Sequence, residues 1–268
     1  MDASQPRDPE APAPCVGVRL EERPAGTIAT VTIENASKLN TLGRALMIAF
    51  IEEIEALGTR ADLRAVVLTG GGAKAFIGGA NIVEMAGLDA AGAQAFITLV
   101  HRCCDGLRAL PVPVIARING YALGAGLEVA AACDLRIAAS NAVFGMPEVR
   151  VGIPSVVEAA LLPGLIGWGR TRELLLFGEN IDAATALGWG LVQQVVAPAD
   201  LDGAVEARLT QLLSAGPQAI RLQKALMRRW EDSTLSQAVL AGIESFAQAY
   251  ASDEPTRLMG AFAKRRRA

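Results

Sequence analysis

At 268 residues the chain is long enough for one large domain or a core with an appendage, and its 51% hydrophobic content lets it bury a substantial core. A net charge of -3 and a pI near 5.4 exclude a general electrostatic attraction to nucleic acid or an anionic membrane, so any basic site has to be local. Mean hydropathy is +0.32, yet charge interrupts the long apolar stretches, as at Glu128, Asp134 and Arg136, and no segment reads as a membrane-spanning helix.

Residues 1–14 read as a disordered tail: they are rich in proline, carry Asp2, Asp8 and Glu10, and lack the apolar centre of a signal peptide. Together with the reading of the cysteines as thiols in a reducing cytoplasm, this leads to the expectation of a cytoplasmic protein. Residues 16–21 and 27–34 alternate as strands around a Pro-Ala-Gly turn, and 42–57 carry apolar residues at helical spacing. A buried strand at 64–69 runs into Gly70-Gly71-Gly72. The order then repeats, with a helix over 89–110, a strand at 113–118, a glycine-rich turn, a helix from Ala125, and strands at 134–138 and 142–144. Strands alternating with helices predict an α/β core with a largely parallel sheet layered by helices. Beyond Pro154, apart from a strand at 191–196, the chain reads as helices: 156–165, 169–177, 182–187, 201–215, 217–231, 234–252 and 254–264. The α/β core is therefore drawn over 15–198 and a helical C-terminal part over 199–268.

Cys15, Cys103, Cys104 and Cys133 lack metal-ligand spacing and read as buried thiols in a reducing compartment. His101 is the only histidine, which excludes a histidine-ligated metal cluster. No serine nucleophile motif accompanies it, which argues against a Ser-His-Asp triad, so it reads as a surface or core histidine.

The chemistry concentrates in two carboxylates. Glu128 lies in Gly120-Tyr-Ala-Leu-Gly-Ala-Gly-Leu-Glu128-Val-Ala, almost wholly apolar or glycine, and Glu148 lies in Phe144-Gly-Met-Pro-Glu-Val149. Burying a carboxylate is costly unless it is paired, and two in similar contexts can supply an acid and a base for one substrate. The competing reading pairs Glu148 with Arg150 or Arg117. Two glycine-rich loops, Lys74-Ala-Phe-Ile-Gly-Gly-Ala80-Asn81-Ile82 and Gly120 to Gly126, lie between strand and helix, where backbone N–H groups can be left to hold a carbonyl oxygen as it gains charge. Neither is a P-loop or a dinucleotide fingerprint.

The order of these segments resembles the enoyl-CoA hydratase/isomerase family, the crotonase superfamily. Lys74 to Ile82 resembles the family's first oxyanion segment, Asn119 to Ala130 with Cys133-Asp134 the second, and Phe144 to Val149 the segment with the second catalytic glutamate. The likeness runs from about Val16 to Phe262. It implies a crotonase-type spiral β/α core with a helical C-terminal trimerisation region, assembling as a homotrimer or a dimer of trimers. By the same resemblance an acyl-CoA thioester binds with its oxygen between the N–H groups of Ala80 and Ala125. Glu128 then orients and deprotonates water, and Glu148 exchanges a proton with C2. Isomerases of the family often keep only the second carboxylate, so the pair implies hydration of a trans-2-enoyl-CoA to a 3-hydroxyacyl-CoA, without a metal or redox cofactor. Isomerisation by Glu148 alone, or a non-catalytic acyl-CoA-binding scaffold with RNA contacts through the basic C-terminus, are the alternatives; DNA and membrane partners are not expected.

The resemblance also assigns the substrate groove to Lys38, Leu39, Lys74, Phe76, Gly78, Asn81, Ile82, Tyr121, Gly124, Pro147, Phe262 and Lys264. Lys264-Arg-Arg-Arg267 offers charge for a 3'-phosphate, or else is a solvated tail. Two departures stand out: Gly152-Ile-Pro-Ser155-Val-Val-Glu158 replaces the family's Gly-x-Ile-Pro-Gly-Ala-Gly-Gly, and Asn81 replaces a common aspartate, which removes a local charge or caps the next helix. Glu158 is read as a solvated helix residue in preference to a third carboxylate of the site, and Asp134 as structural.

Overall fold

The computed structural model describes residues 13–265. The expected N-terminal tail falls almost wholly outside these residues, as do Arg266 and Arg267 of the basic terminus. In chain order the elements are β1 (Cys15–Arg23), β2 (Gly26–Glu34), α1 (Arg44–Gly58), β3 (Leu63–Gly70), β4 (Ala75–Ile77), α2 (Ile82–Met85), α3 (Ala90–Ala109), β5 (Val114–Ile118), β6 (Tyr121–Leu123), α4 (Ala125–Ala132), β7 (Leu135–Ala139) and β8 (Val143–Gly145). They continue as α5 (Leu162–Phe177), β9 (Asn180–Asp182), α6 (Ala183–Trp189), β10 (Gln194–Val196), α7 (Leu201–Ser214), α8 (Pro217–Glu231), α9 (Leu235–Ala249) and α10 (Glu254–Arg265).

The strands form two sheets where the sequence suggested one. The larger has the order β1-β2-β3-β5-β7-β10, antiparallel only at the β1–β2 hairpin; the smaller has the order β4-β6-β8-β9, antiparallel only at β8–β9. β4, β6 and β9 were not anticipated. Each is three residues long and sits among turn-forming residues, too short to show a period.

The large sheet is covered on both faces, as a parallel sheet requires. Val66 and Leu68 face the main core with Phe50 and Ile54 of α1 and Val100 and Leu107 of α3, while Ala65 and Val67 face Leu201, Val205 and Leu209 of α7. Alternate residues of one strand thus serve two cores, because side chains alternate across a sheet. Ion pairing ties α8 to this frame: buried Lys224 donates to Asp134 Oδ2 at 2.7 Å and to the carbonyls of Val112 and Leu107 at 2.9 and 3.2 Å. Asp134, read as structural, also accepts from Val114 N at 2.7 Å.

Beyond β8 the expected helix at 156–165 is instead a 3-10 turn (Val157–Leu161) running into α5, which is bent at Gly167, φ 78°. Cys103, Cys104 and Cys133 are buried as expected, and burial pushes Cys103 and Cys133 up to about 12. Cys15, on β1, is exposed, which corrects the expectation for that residue. Among the described residues no helix is long and apolar enough to cross a membrane.

Candidate active site

The small sheet brings the two glycine loops together. β4 and β6 are parallel neighbours, with Ala75 opposite Tyr121 and Ile77 opposite Ala122, so the chain leaves both strands side by side. The backbones touch: a Cβ at Gly126 would fall 2.0 Å from the Ile77 carbonyl oxygen, and one at Gly79 would fall 3.2 Å from that of Leu123. Only glycine allows the first approach.

Ala80 and Ala125 sit at corresponding ends of these loops. Ala80 bridges Leu42 in parallel, through Leu42 N to Gly79 O at 2.8 Å and Asn81 N to Leu42 O at 2.9 Å. In such a bridge the Ala80 N–H points away from the Leu42 strand. Ala125 is the first residue of α4, where an N–H has no acceptor within the helix. Two backbone donors therefore stand next to the positive end of a helix that is buried along its whole length.

Glu128 is one turn into α4, on the face of Ala125. Its side chain is buried, at 3% exposure, and Oε1 accepts from Ala159 N at 3.3 Å. Burial, followed by the nearby charge of Glu148, pushes its carboxyl up to about 8. Glu148 follows Pro147 into a 3-10 turn (Pro147–Val151), and its Oε2 accepts from Ser155 Oγ at 2.9 Å. Its other oxygen lies over Gly124, whose φ of 52° and ψ of -123° suit glycine alone; a Cβ there would meet Oε1 at 2.4 Å. Glu148 has neither arginine suggested for it: Arg150 pairs with Glu179 at 3.6 Å and Arg117 with Asp202 at 2.6 Å. A buried carboxyl raised by burial and a second carboxyl thus lie near each other at the start of α4, with the Ala80 and Ala125 N–H groups on the adjoining loops. That arrangement can trade protons with a substrate whose oxygen is held by the donors.

The remaining predicted residues surround this corner unequally. Leu39 and Asn40 both adopt left-handed conformations, φ 54° and 56°, and Leu39 O accepts from Gly78 N at 2.8 Å. Lys38 and Leu39 are exposed beside half-buried Gly78. Buried Asn40, which sequence reasoning passed over, holds the turn by donating to Gly71 O and Ala75 O at 3.0 and 2.8 Å; asparagine's tolerance of left-handed backbone was the available signal. Lys74 is exposed, and its carbonyl accepts from Tyr121 N at 3.1 Å; Tyr121 and Ile82 are exposed and Pro147 is half-buried. Asn81 caps α2, accepting from Val83 N at 3.1 Å and Glu84 N at 3.4 Å, which selects the capping alternative. Phe76 requires correction: its ring is 0% exposed within the main core, so only its backbone can face a ligand. Phe262 and Lys264 lie exposed near the end of α10, a helix that starts where Glu254 accepts from Gln218 N and Ala219 N at the start of α8.

Glu158 also requires correction. It is not solvated but 4% exposed, with Oε1 2.8 Å from His101 Nδ1. The half-exposed ring of His101 spans from α3 to the turn that follows Ser155. Ser155 and the Ala159 N–H were also missed, although the Gly152–Glu158 stretch had stood out as the main departure.

The layered α/β core, the paired glycine loops and the two converging carboxylates define a site of crotonase type. The model of the enoyl-CoA hydratase/isomerase family matches residues 23–268, and the chain belongs to that family. It is 35% identical over 243 residues to the short-chain-enoyl-CoA hydratase of Clostridium acetobutylicum, covering 90% of this chain and 93% of that one. It is 34% identical over 242 residues to the crotonyl-CoA hydratase of Syntrophomonas wolfei, with the same coverage of 90% and 93%. A solved enoyl-CoA hydratase from Bacillus anthracis superposes with a TM-score of 0.87 at 29% identity, covering 92% of this chain and 96% of that one.

Proposed function

We propose that the protein catalyses the reversible addition of water to a trans-2-enoyl-CoA, giving a 3-hydroxyacyl-CoA. The observation that carries this reading is the meeting of Glu128 and Glu148 at the N-terminus of α4, one buried and the other held by Ser155. Relatives at 34 to 35% identity carry the names of short-chain-enoyl-CoA and crotonyl-CoA hydratases, which supports a short enoyl chain.

In this reading the thioester oxygen lies between the N–H groups of Ala80 and Ala125, which stabilise the negative charge it gains as C3 is attacked. Glu128, in its ionised form, orients water and takes one of its protons while the hydroxyl bonds to C3. Glu148, entering the cycle protonated over Gly124, delivers its proton to C2 as the enolate collapses, and the proton gained by Glu128 returns to Glu148 by exchange with water. One water is consumed, one C–O and one C–H bond form, and no electrons are exchanged, so the reaction calls for neither a metal nor a redox cofactor. Removing either acid–base group costs roughly 100-fold or more. We place the reaction in the cytoplasm and the protein in a homotrimer or dimer of trimers. Leu235, Val239, Ile243 and Phe246 form an exposed apolar row on α9, from 55% to 82% exposed, which supports association.

The test uses purified protein with a short 2-enoyl-CoA and a 3-enoyl-CoA, repeated with Glu128→Gln and Glu148→Gln. Hydration is expected to need both carboxylates. Hydration unchanged in Glu128→Gln would remove the assigned role of Glu128, and conversion of the 3-enoyl-CoA without hydration would favour the isomerase.

A further inference from the structure

One short segment touches both glutamates. At its start Ser155 Oγ donates to Glu148 Oε2 at 2.9 Å, and at its end Ala159 N donates to Glu128 Oε1 at 3.3 Å. Between them Val157 has φ 40°, a left-handed conformation that a β-branched side chain resists. Such a conformation persists only where the surroundings enforce it. The adjacent residue, Glu158, is the visible restraint: its side chain is buried between α3, α4 and the 3-10 turn, and Oε1 is 2.8 Å from His101 Nδ1. Glu158 Oε2 is buried without a hydrogen-bond partner among the described residues. A buried carboxylate with one oxygen unsatisfied is costly, and its tie to His101 is what offsets that cost.

We propose that His101 and Glu158 clamp the Ser155–Ala159 segment, and that this segment positions Glu148 and Glu128 through the Ser155 hydroxyl and the Ala159 N–H. His101 and Glu158 are then positioning residues that act through the strap and not on substrate. The inference rests on the hydratase reading for its effect on rate, while the clamp itself is a property of the structure alone. The strap also explains why the departure at Gly152–Glu158 is compatible with the two carboxylates: a serine hydroxyl stands where the resemblance expects glycine and gives Glu148 a fixed donor.

The experiment compares the parent with His101→Ala, His101→Asn and Ser155→Ala. The ring of His101 is 50% exposed, so its loss leaves the core intact. Asparagine can return an amide donor near the position of Nδ1. Backbone hydrogen exchange over residues 155–161 is read by mass spectrometry, and hydration of a four-carbon trans-2-enoyl-CoA is read as kcat and KM. His101→Ala is expected to raise exchange in this segment and to lower kcat roughly tenfold with KM within about twofold, as a misplaced catalytic group does. His101→Asn should restore both, and Ser155→Ala should lower kcat with little change in exchange. Unchanged exchange in His101→Ala overturns the clamp. Raised exchange with parental kcat, or a rise in KM alone, overturns the positioning role, and parental kcat in Ser155→Ala overturns its Glu148 arm. If the parent shows no hydration while exchange still responds to His101→Ala, the hydratase reading fails and the clamp stands.

Discussion

The Glu148 carboxyl rests on Gly124: a methyl group built on that glycine would meet Oε1 at 2.4 Å. Gly124 N in turn donates to Gly145 O at 2.9 Å, so the residue that admits Glu148 is fixed to the strand that precedes it. The absence of a side chain at position 124 thus sets how closely the carboxylate approaches the first N–H groups of α4.

Gly124→Ala should therefore impair activity more than folding. The atom in the way is the end of a flexible side chain, which can swing aside, while the positive-φ backbone adds about 1–3 kcal/mol of strain. Hydration is expected to fall roughly 100-fold, as for a misplaced catalytic group, with circular dichroism unchanged. Retention of full activity would show that Glu148 works from another position.

Glu128 should make stability fall with rising pH. Its folded value of about 8 stands above the ordinary 4.5, so between these values the unfolded chain has lost a proton that the folded protein keeps. Below pH 4.5 the group costs nothing; the penalty grows through the window and is complete above 8, reaching about 5 kcal/mol as an order of magnitude. Urea midpoints measured at pH 5, 7 and 9 should decline less in Glu128→Gln than in the parent. Parallel curves would mean that Glu128 ionises normally.

Lys224→Met should loosen the C-terminal helices without touching chemistry. It removes three hydrogen bonds, to Asp134, Val112 and Leu107, and leaves the Asp134 carboxylate, 26% exposed, without its cation. Breaking such a pair costs about 3 kcal/mol. A lowered urea midpoint with kcat within about twofold is expected; a lost kcat at full stability would place Lys224 in the site instead.

Much of the frame was legible because it follows from local pattern. Helical spacing marked α1, and β3 showed as a buried run ending in glycines. The resemblance added the family and the identity of the glutamates. Glu128 was conspicuous because a charge in an apolar helix needs a reason.

What the sequence by itself determined was this inventory: a layered α/β chain with two unusual carboxylates and two loops shaped by glycine. Tertiary structure alone decided which groups meet. The Ala159 N–H lies 31 residues from Glu128 and Glu158 lies 57 from His101, and these contacts arise from packing of α3, α4 and the 157–161 turn, while Ser155 reaches Glu148 across a seven-residue turn. The misreading of Glu158 has the same cause. A glutamate on an expected helix is solvated by default, and only the approach of α3, bringing His101 57 residues away to within 2.8 Å, makes its burial tolerable.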